Sequence, residues 1–164
     1  MTHITENSGS LPLCFEDYMK SALALAGEAA AAGEVPVGCV ICDENGAIIG
    51  EGRNRREEIP DACAHAEIEA IRNACAYRGS WDLSGCTMFV TLEPCCMCAG
   101  AIINSRISRL VYGAKESYSG ACGSVINLFE ENFGHKPKIY GGVLAKESAK
   151  LLSEFFNKLR DKKR

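Results

Sequence analysis

The stretch CTMFVTLEPCCMCAGAIINSRISRLVYGA, residues 86–114, holds the pattern that decides the fold. CTMFVT is an apolar run of strand length, EPCCMCAGAIINSR shifts to helical spacing, and ISRLVYGA returns to a β-rich run. The segment therefore reads strand, helix, strand. Pro94 is expected to open the helix, since proline suits the first helical position, where its missing N–H is not needed. Cys95, Cys96 and Cys98 follow that proline within four positions.

Working outward toward the N-terminus, residues 65–78 place Ile68, Ile71 and Ala74 at helical spacing, and Gly79 closes that helix. A polar loop, RNRREEIPDACA, precedes it. Before the loop, VPVGCVIC and AIIGEG flank DENG, a hairpin turning near Asn45 and Gly46. Residues 14–32, rich in Ala and Leu, predict a helix ending at Gly33. Toward the C-terminus, the loop 117–138 includes GACGSVINLF, expected to form a short helix. KIYGG with VL then reads as a last strand, and Leu151, Leu152, Phe155, Phe156 and Leu159 form the apolar stripe of a closing helix. Strands and helices alternate through the middle, which predicts a mixed sheet with helices on both faces. Neither a repeat nor a linker divides the chain, so one domain is expected over 13–164 behind a flexible tail, 1–12.

Ten cysteines in 164 residues could signal a disulfide scaffold. The first dozen residues, however, lack a basic segment followed by an apolar run. The longest apolar stretch, 21–33, is broken by Gly27 and Glu28 and falls short of the ~20 residues of a membrane span. A cytoplasmic chain with reduced thiols is the expectation. The net charge of −3 gives no general pull toward nucleic acid, yet KLRDKKR at the end carries five positive charges and one negative. That leaves about −7 on the rest, and the tail reads either as a solvated helix end or as a phosphate contact.

Two CxxC pairs differ in what they can grip. Cys39 and Cys42 lie in a strand, where residues three apart point to opposite faces about 10 Å apart, so they read as packing. Cys95 and Cys98 lie on a helical turn, share a face and can reach one ion, leaving Cys96 as a bystander that packs. Free N–H groups at a helix start favour thiolate over thiol. The pair alone fits a metal site, a redox couple or chance.

Of three histidines, His3 falls in the tail and His135 in a loop, whereas His65 opens a helix with Glu67 two residues on. Positions i and i+2 can serve one site only in the first turn, which is where these lie. One nitrogen and two sulfurs make a three-ligand zinc site with an open fourth position, the arrangement of catalysis. Zinc acidifies a bound water, and Glu67, a carboxylate outside the ligand set, can move its proton.

HAE followed by PCxxC is the signature of zinc-dependent nucleoside and nucleobase deaminases. Beyond it, EVPVGCVI (34–41), GRNR (52–55), AHAEIEAIR (64–72), VTLEPCCMCAGAIINSRISRLVYGA (90–114), GACGS (120–124) and LLSEFF (151–156) resemble the bacterial tRNA-specific adenosine deaminases. The resemblance runs from about residue 15 to 160. It implies a three-layer α/β/α cytidine deaminase-like fold around a five-stranded mixed sheet, and a homodimer with active sites near the interface. It also implies one Zn2+ per subunit on His65, Cys95 and Cys98, with Glu67 shuttling protons as the wobble adenosine of a tRNA anticodon arm, an arginine tRNA, becomes inosine. Asn54, Val35, Pro36, Ala66, Glu116, Phe155 and Phe156 match positions that meet the substrate, and the basic tail then reads as a phosphate contact. Arg53, Ala62, Cys63 and Glu116 depart from the usual family residues. A free-base deaminase would share the zinc core but have no use for the basic tail. A zinc-binding or thiol module would have no need of Glu67.

Overall fold

The computed structural model describes residues 14–164; the expected tail and His3 lie outside the described residues. The chain runs α1 (Phe15–Ala31), β1 (Gly38–Cys42), β2 (Ile48–Arg53), α2 (Ala66–Arg78), β3 (Thr87–Leu92), α3 (Cys96–Asn104), β4 (Arg109–Ala114), a 3-10 turn over Leu128–Glu130, β5 (Lys138–Gly141) and α4 (Ala145–Asp161). The five strands form one sheet in the order β2-β1-β3-β4-β5. β1 pairs antiparallel with β2 and β3, while β3–β4 and β4–β5 are parallel, so the sheet is mixed as expected.

Alternation along the central strands divides the interior. Cys39, Ile41, Met88, Val90, Leu110 and Tyr112 face one layer, which Ala66, Ala70 and Ala74 of α2 and Ala99, Ile102 and Ile103 of α3 cover. Val40, Cys42, Phe89 and Val111 face the other, packed by Met19 and Ala22 of α1 and by Val143 and Leu144 at the start of α4. Cys39 and Cys42 therefore lie buried on opposite faces of the sheet, as strand packing residues. Both faces of β1 and β3 are covered, which explains why these strands read as continuous apolar runs.

Close approach of α2 to the sheet depends on two glycines of β2. A Cβ on Gly50 would lie 2.3 Å from the Ala70 carbonyl oxygen, and one on Gly52 would lie 2.2 Å from that of Ala66. The alanine stripe of α2 thus rests directly on glycine backbone.

α3 starts later than its sequence suggests. Cys95, not Pro94, precedes the first helical residue, and its backbone is extended (φ −73°, ψ 174°). The reason lies in the 120s: the Pro94 carbonyl accepts from the Ala121 N–H at 2.8 Å, and Cys95 bridges to Gly120. Those pairings hold Pro94 and Cys95 in a strand-like path. A second correction concerns Cys96, which is exposed and does not pack; the buried face of α3 is Cys98, Ala99, Ile102 and Ile103.

Candidate active site

His65 is the N-cap of α2 and Cys95 the N-cap of α3, and neither side chain makes the usual capping hydrogen bond. An N-cap side chain ordinarily satisfies the free N–H groups of the first turn. Here both caps direct their donor atoms at each other instead. His65 Nδ1 lies 3.7 Å from Cys95 Sγ and 3.6 Å from Cys98 Sγ, and the three donor atoms lie within 4.8 Å of one another. Zinc bonds of about 2.0 Å to nitrogen and 2.3 Å to sulfur, set at the tetrahedral angle, give an N-to-S edge of about 3.5 Å. The spacing and chemistry of the donors fit a zinc ion.

Electrostatics point the same way. The Cys98 thiol beside it, and the His65 ring, draw the Cys95 thiol down to about 4, against the effect of burial. Cys98 is pushed up, first by its bond to the Cys95 sulfur and then by burial. A divalent cation bound there would displace the protons of both thiols. His65 is raised by its contact with Cys95.

These donors border a cavity of about 190 Å³. Val35, Val37 and Leu92 form its apolar side, and Asn54, Ala66 and Glu116 also line it. Asn54 is fixed by its side-chain amide donating to the Val35 carbonyl (3.3 Å) and by its own oxygen accepting from the Arg56 N–H (3.2 Å). Glu67 is only 3% exposed, and burial raises its carboxyl above the ordinary range. Three buried side-chain oxygens among the described residues lack a hydrogen-bond partner, in Glu67, Thr87 and Ser148, and of these residues Glu67 alone lines the cavity. An orphaned acid oxygen facing a cavity beside a metal cluster is placed to exchange protons with a bound molecule.

The sequence-predicted residues divide in two. His65, Glu67, Cys95, Val35, Asn54, Ala66 and Glu116 all line the cavity, and Cys98 joins through the donor cluster. Pro36 is buried but does not line it. Phe155 and Phe156 also lie off the cavity, packed edge to face at 5.4 Å, the first half-buried and the second 43% exposed. His135 is engaged elsewhere, with Nε2 2.8 Å from the Ile107 carbonyl.

Two carboxylates escaped the sequence reading. Glu93, buried at the end of β3, accepts the N–H groups of Glu116 (3.0 Å), Cys122 (3.0 Å) and Ser124 (3.1 Å), and also the Ser124 hydroxyl. Burial alone would raise its carboxyl, but these donors, Ser124 foremost, hold it below the usual range. A Cβ on Gly120 would strike that carboxylate at 2.6 Å, so the loop fits around it. Glu34, also buried, accepts the N–H groups of Glu57 (2.8 Å) and Glu58 (2.6 Å), tying down the loop that follows Asn54. An acid set between an apolar strand and a proline was a readable sign for Glu93; nothing local marks Glu34.

Residues 14–114 match the family described as the cytidine and deoxycytidylate deaminase zinc-binding region. A tRNA-specific adenosine deaminase of Bacillus subtilis is 45% identical over 91% of this chain and 92% of its own length. A tRNA(Ile)-lysidine synthase of Deinococcus deserti is 47% identical over 88% of this chain, but this chain spans only 27% of that protein's length. A structure solved in work on A-to-I editing deaminases acting at the wobble position of transfer RNA superposes with a TM-score of 0.80 at 42% identity, covering 83% of this chain and 99% of the other.

Proposed function

Because this chain belongs to the cytidine and deoxycytidylate deaminase zinc-binding family, we propose that it hydrolyses the 6-amino group of the wobble adenosine in a tRNA anticodon, leaving inosine. The observation that carries the chemistry is the buried, unpartnered Glu67 oxygen in the same cavity as the His65, Cys95 and Cys98 donors. Support for the RNA substrate comes from the tRNA-specific relative, aligned along nearly the whole of both chains.

His65, Cys95 and Cys98 would hold a zinc ion, which would supply a water acidified toward neutral pH as the attacking nucleophile. Glu67 takes the proton of that water and delivers it to N1 as the C6–O bond forms. It then takes the remaining proton of the C6 hydroxyl and passes it to the amine, which leaves as ammonia as the C6–N bond breaks and the C6 carbonyl of inosine forms. Val35 and Leu92 exclude bulk water from the base, and Asn54, held at both ends of its amide, fixes the nucleotide's orientation. The free N–H groups at the starts of α2 and α3 favour the negative charge that develops on the oxygen bonded to C6. Glu116 lines the cavity beside the base, and Pro36 is buried between the wall residues Val35 and Val37 in sequence.

The finer features of this reading are a single deaminase domain over 13–164, an arginine tRNA substrate and a cytoplasmic site of action. Two copies pair near their active sites, where the exposed Val125 and Ile126 supply apolar surface. None of the described helices is long and apolar enough to cross a membrane.

Incubation of the zinc-loaded protein with an arginine tRNA anticodon stem-loop should convert one adenosine to inosine, read by sequencing the reacted RNA. Glu67→Ala should lose at least about 100-fold in rate while zinc stays bound. Deamination of free guanine or cytosine with none of the RNA would refute the substrate.

A further inference from the structure

The cavity has room for one base, so the nucleotides on either side of it must lie across its mouth. We propose that Tyr118 and Arg56 form a flanking-nucleotide subsite there, in which the Tyr118 ring stacks on an unpaired neighbouring base and Arg56 takes a phosphate. The inference rests on the reading of the substrate as a single-stranded RNA loop.

Tyr118 sits between Glu116 and Ser119, both of which line the cavity, and is 93% exposed, the most of any large hydrophobic side chain among the described residues. Its ring gains nothing from packing, yet its backbone is fixed: the Tyr118 N–H donates to Glu116 Oε1 at 2.8 Å, and Glu93 in turn holds the Glu116 N–H. An aromatic face presented on a fixed backbone pays little ordering entropy when a base stacks on it.

The arginines of RNRR differ in their engagement. Arg53 meets Glu58 at 2.9 Å and Arg55 meets Glu69 at 3.0 Å, whereas Arg56, which lines the cavity, reaches among the described residues only the Glu57 carboxylate, at 3.7 Å, with both side chains more than half exposed. Such a pair is weak and yields to a phosphate, which a guanidinium grips through two N–H groups. Charge separates the two roles. The carboxylates of Glu93 and Glu116, bonded to the loop that carries Tyr118, repel phosphate but leave the ring open to a base, whereas Arg56 on the cavity lining attracts phosphate.

Kinetics on the anticodon stem-loop, with binding followed by fluorescence anisotropy, test this. Tyr118→Ala should raise KM and Kd about tenfold with kcat changed less than about twofold, while Tyr118→Phe and Tyr118→Trp keep wild-type values. Arg56→Ala should lower the salt slope of binding by about 0.7, and Tyr118→Ala should leave it unchanged. Wild-type KM in Tyr118→Ala, or a Phe variant as weak as the Ala variant, would overturn the subsite. If the wild type binds the stem-loop but leaves its adenosine intact, the deamination reading falls while the Kd values still decide the subsite. A wild type that neither binds nor converts RNA overturns both.

Discussion

Glu67 is the residue at which this protein departs furthest from what stability alone would select. Its carboxyl is buried and raised, so between its ordinary value of 4.5 and its folded value the folded metal-free protein holds a proton that the unfolded chain has released. The stability from that proton is complete below the unfolded value and is lost as pH rises through the folded one. Glu67→Gln keeps the shape and removes the titration. In metal-free protein it should raise stability near pH 7 and change nothing near pH 4, as paired denaturant melts would show; an equal gain at both pH values would contradict this. The site's chemistry was legible at this scale because it is encoded in residue type and short spacing, His65 with Glu67 and Cys95 with Cys98. The roles of Glu93 and Glu34 were not, because their partners lie 23 to 31 residues away for Glu93 and 23 and 24 away for Glu34, and only the place of Glu93 between strand and proline hinted at it.

Among the elements, α2 carries His65 and Glu67 on its first turn, and its height above the sheet is set by Gly50 and Gly52. Gly52→Ala would push a methyl into the Ala66 carbonyl, lifting the helix start. A loss of about 1–3 kcal/mol is expected, together with weaker zinc binding in a chelator competition. Gly27→Ala, inside α1 with nothing within 4 Å of the new Cβ, should be neutral or mildly stabilising and serves as the control. Unchanged zinc affinity in Gly52→Ala would show that the ligands do not follow the helix. Every helix and strand could be anticipated from periodicity and turn residues, as with Gly79, which closes α2 at a φ of +67°. The start of α3 could not, because the pairings of Pro94 and Cys95 with residues 120 and 121 overrule the local preference for proline at a first helical position. The stripe of α4 was read correctly as apolar, but Phe156 and Leu159 remain 43% and 41% exposed, so helical periodicity alone did not reveal how much of it the fold covers.

For the molecule as a whole, the site gathers at one end of the sheet, beyond the carboxyl ends of the parallel strands β3 and β4, where open α/β sheets leave a crevice. Around it, an acidic body ends in a basic helix, Lys158 and Arg160 closing α4 ahead of Lys162, Lys163 and Arg164. Replacing Lys158, Lys162 and Lys163 with serine should weaken stem-loop binding alike for all loop sequences and reduce its salt slope by about 2, with an unchanged melting temperature. Identical slopes would return the tail to the role of a solvated helix end. The carboxylate of Glu93 has a wider consequence. It fastens the 116–124 loop two residues ahead of the ligand Cys95, and Gly120 of that loop bridges to Cys95 itself. A lineage acquiring a new nucleotide preference therefore could not remodel this loop freely without disturbing its grip on the metal. Heritable change in what the enzyme reads is channelled into side chains such as Tyr118 that the carboxylate leaves unbound, which makes them the natural starting positions for directed evolution.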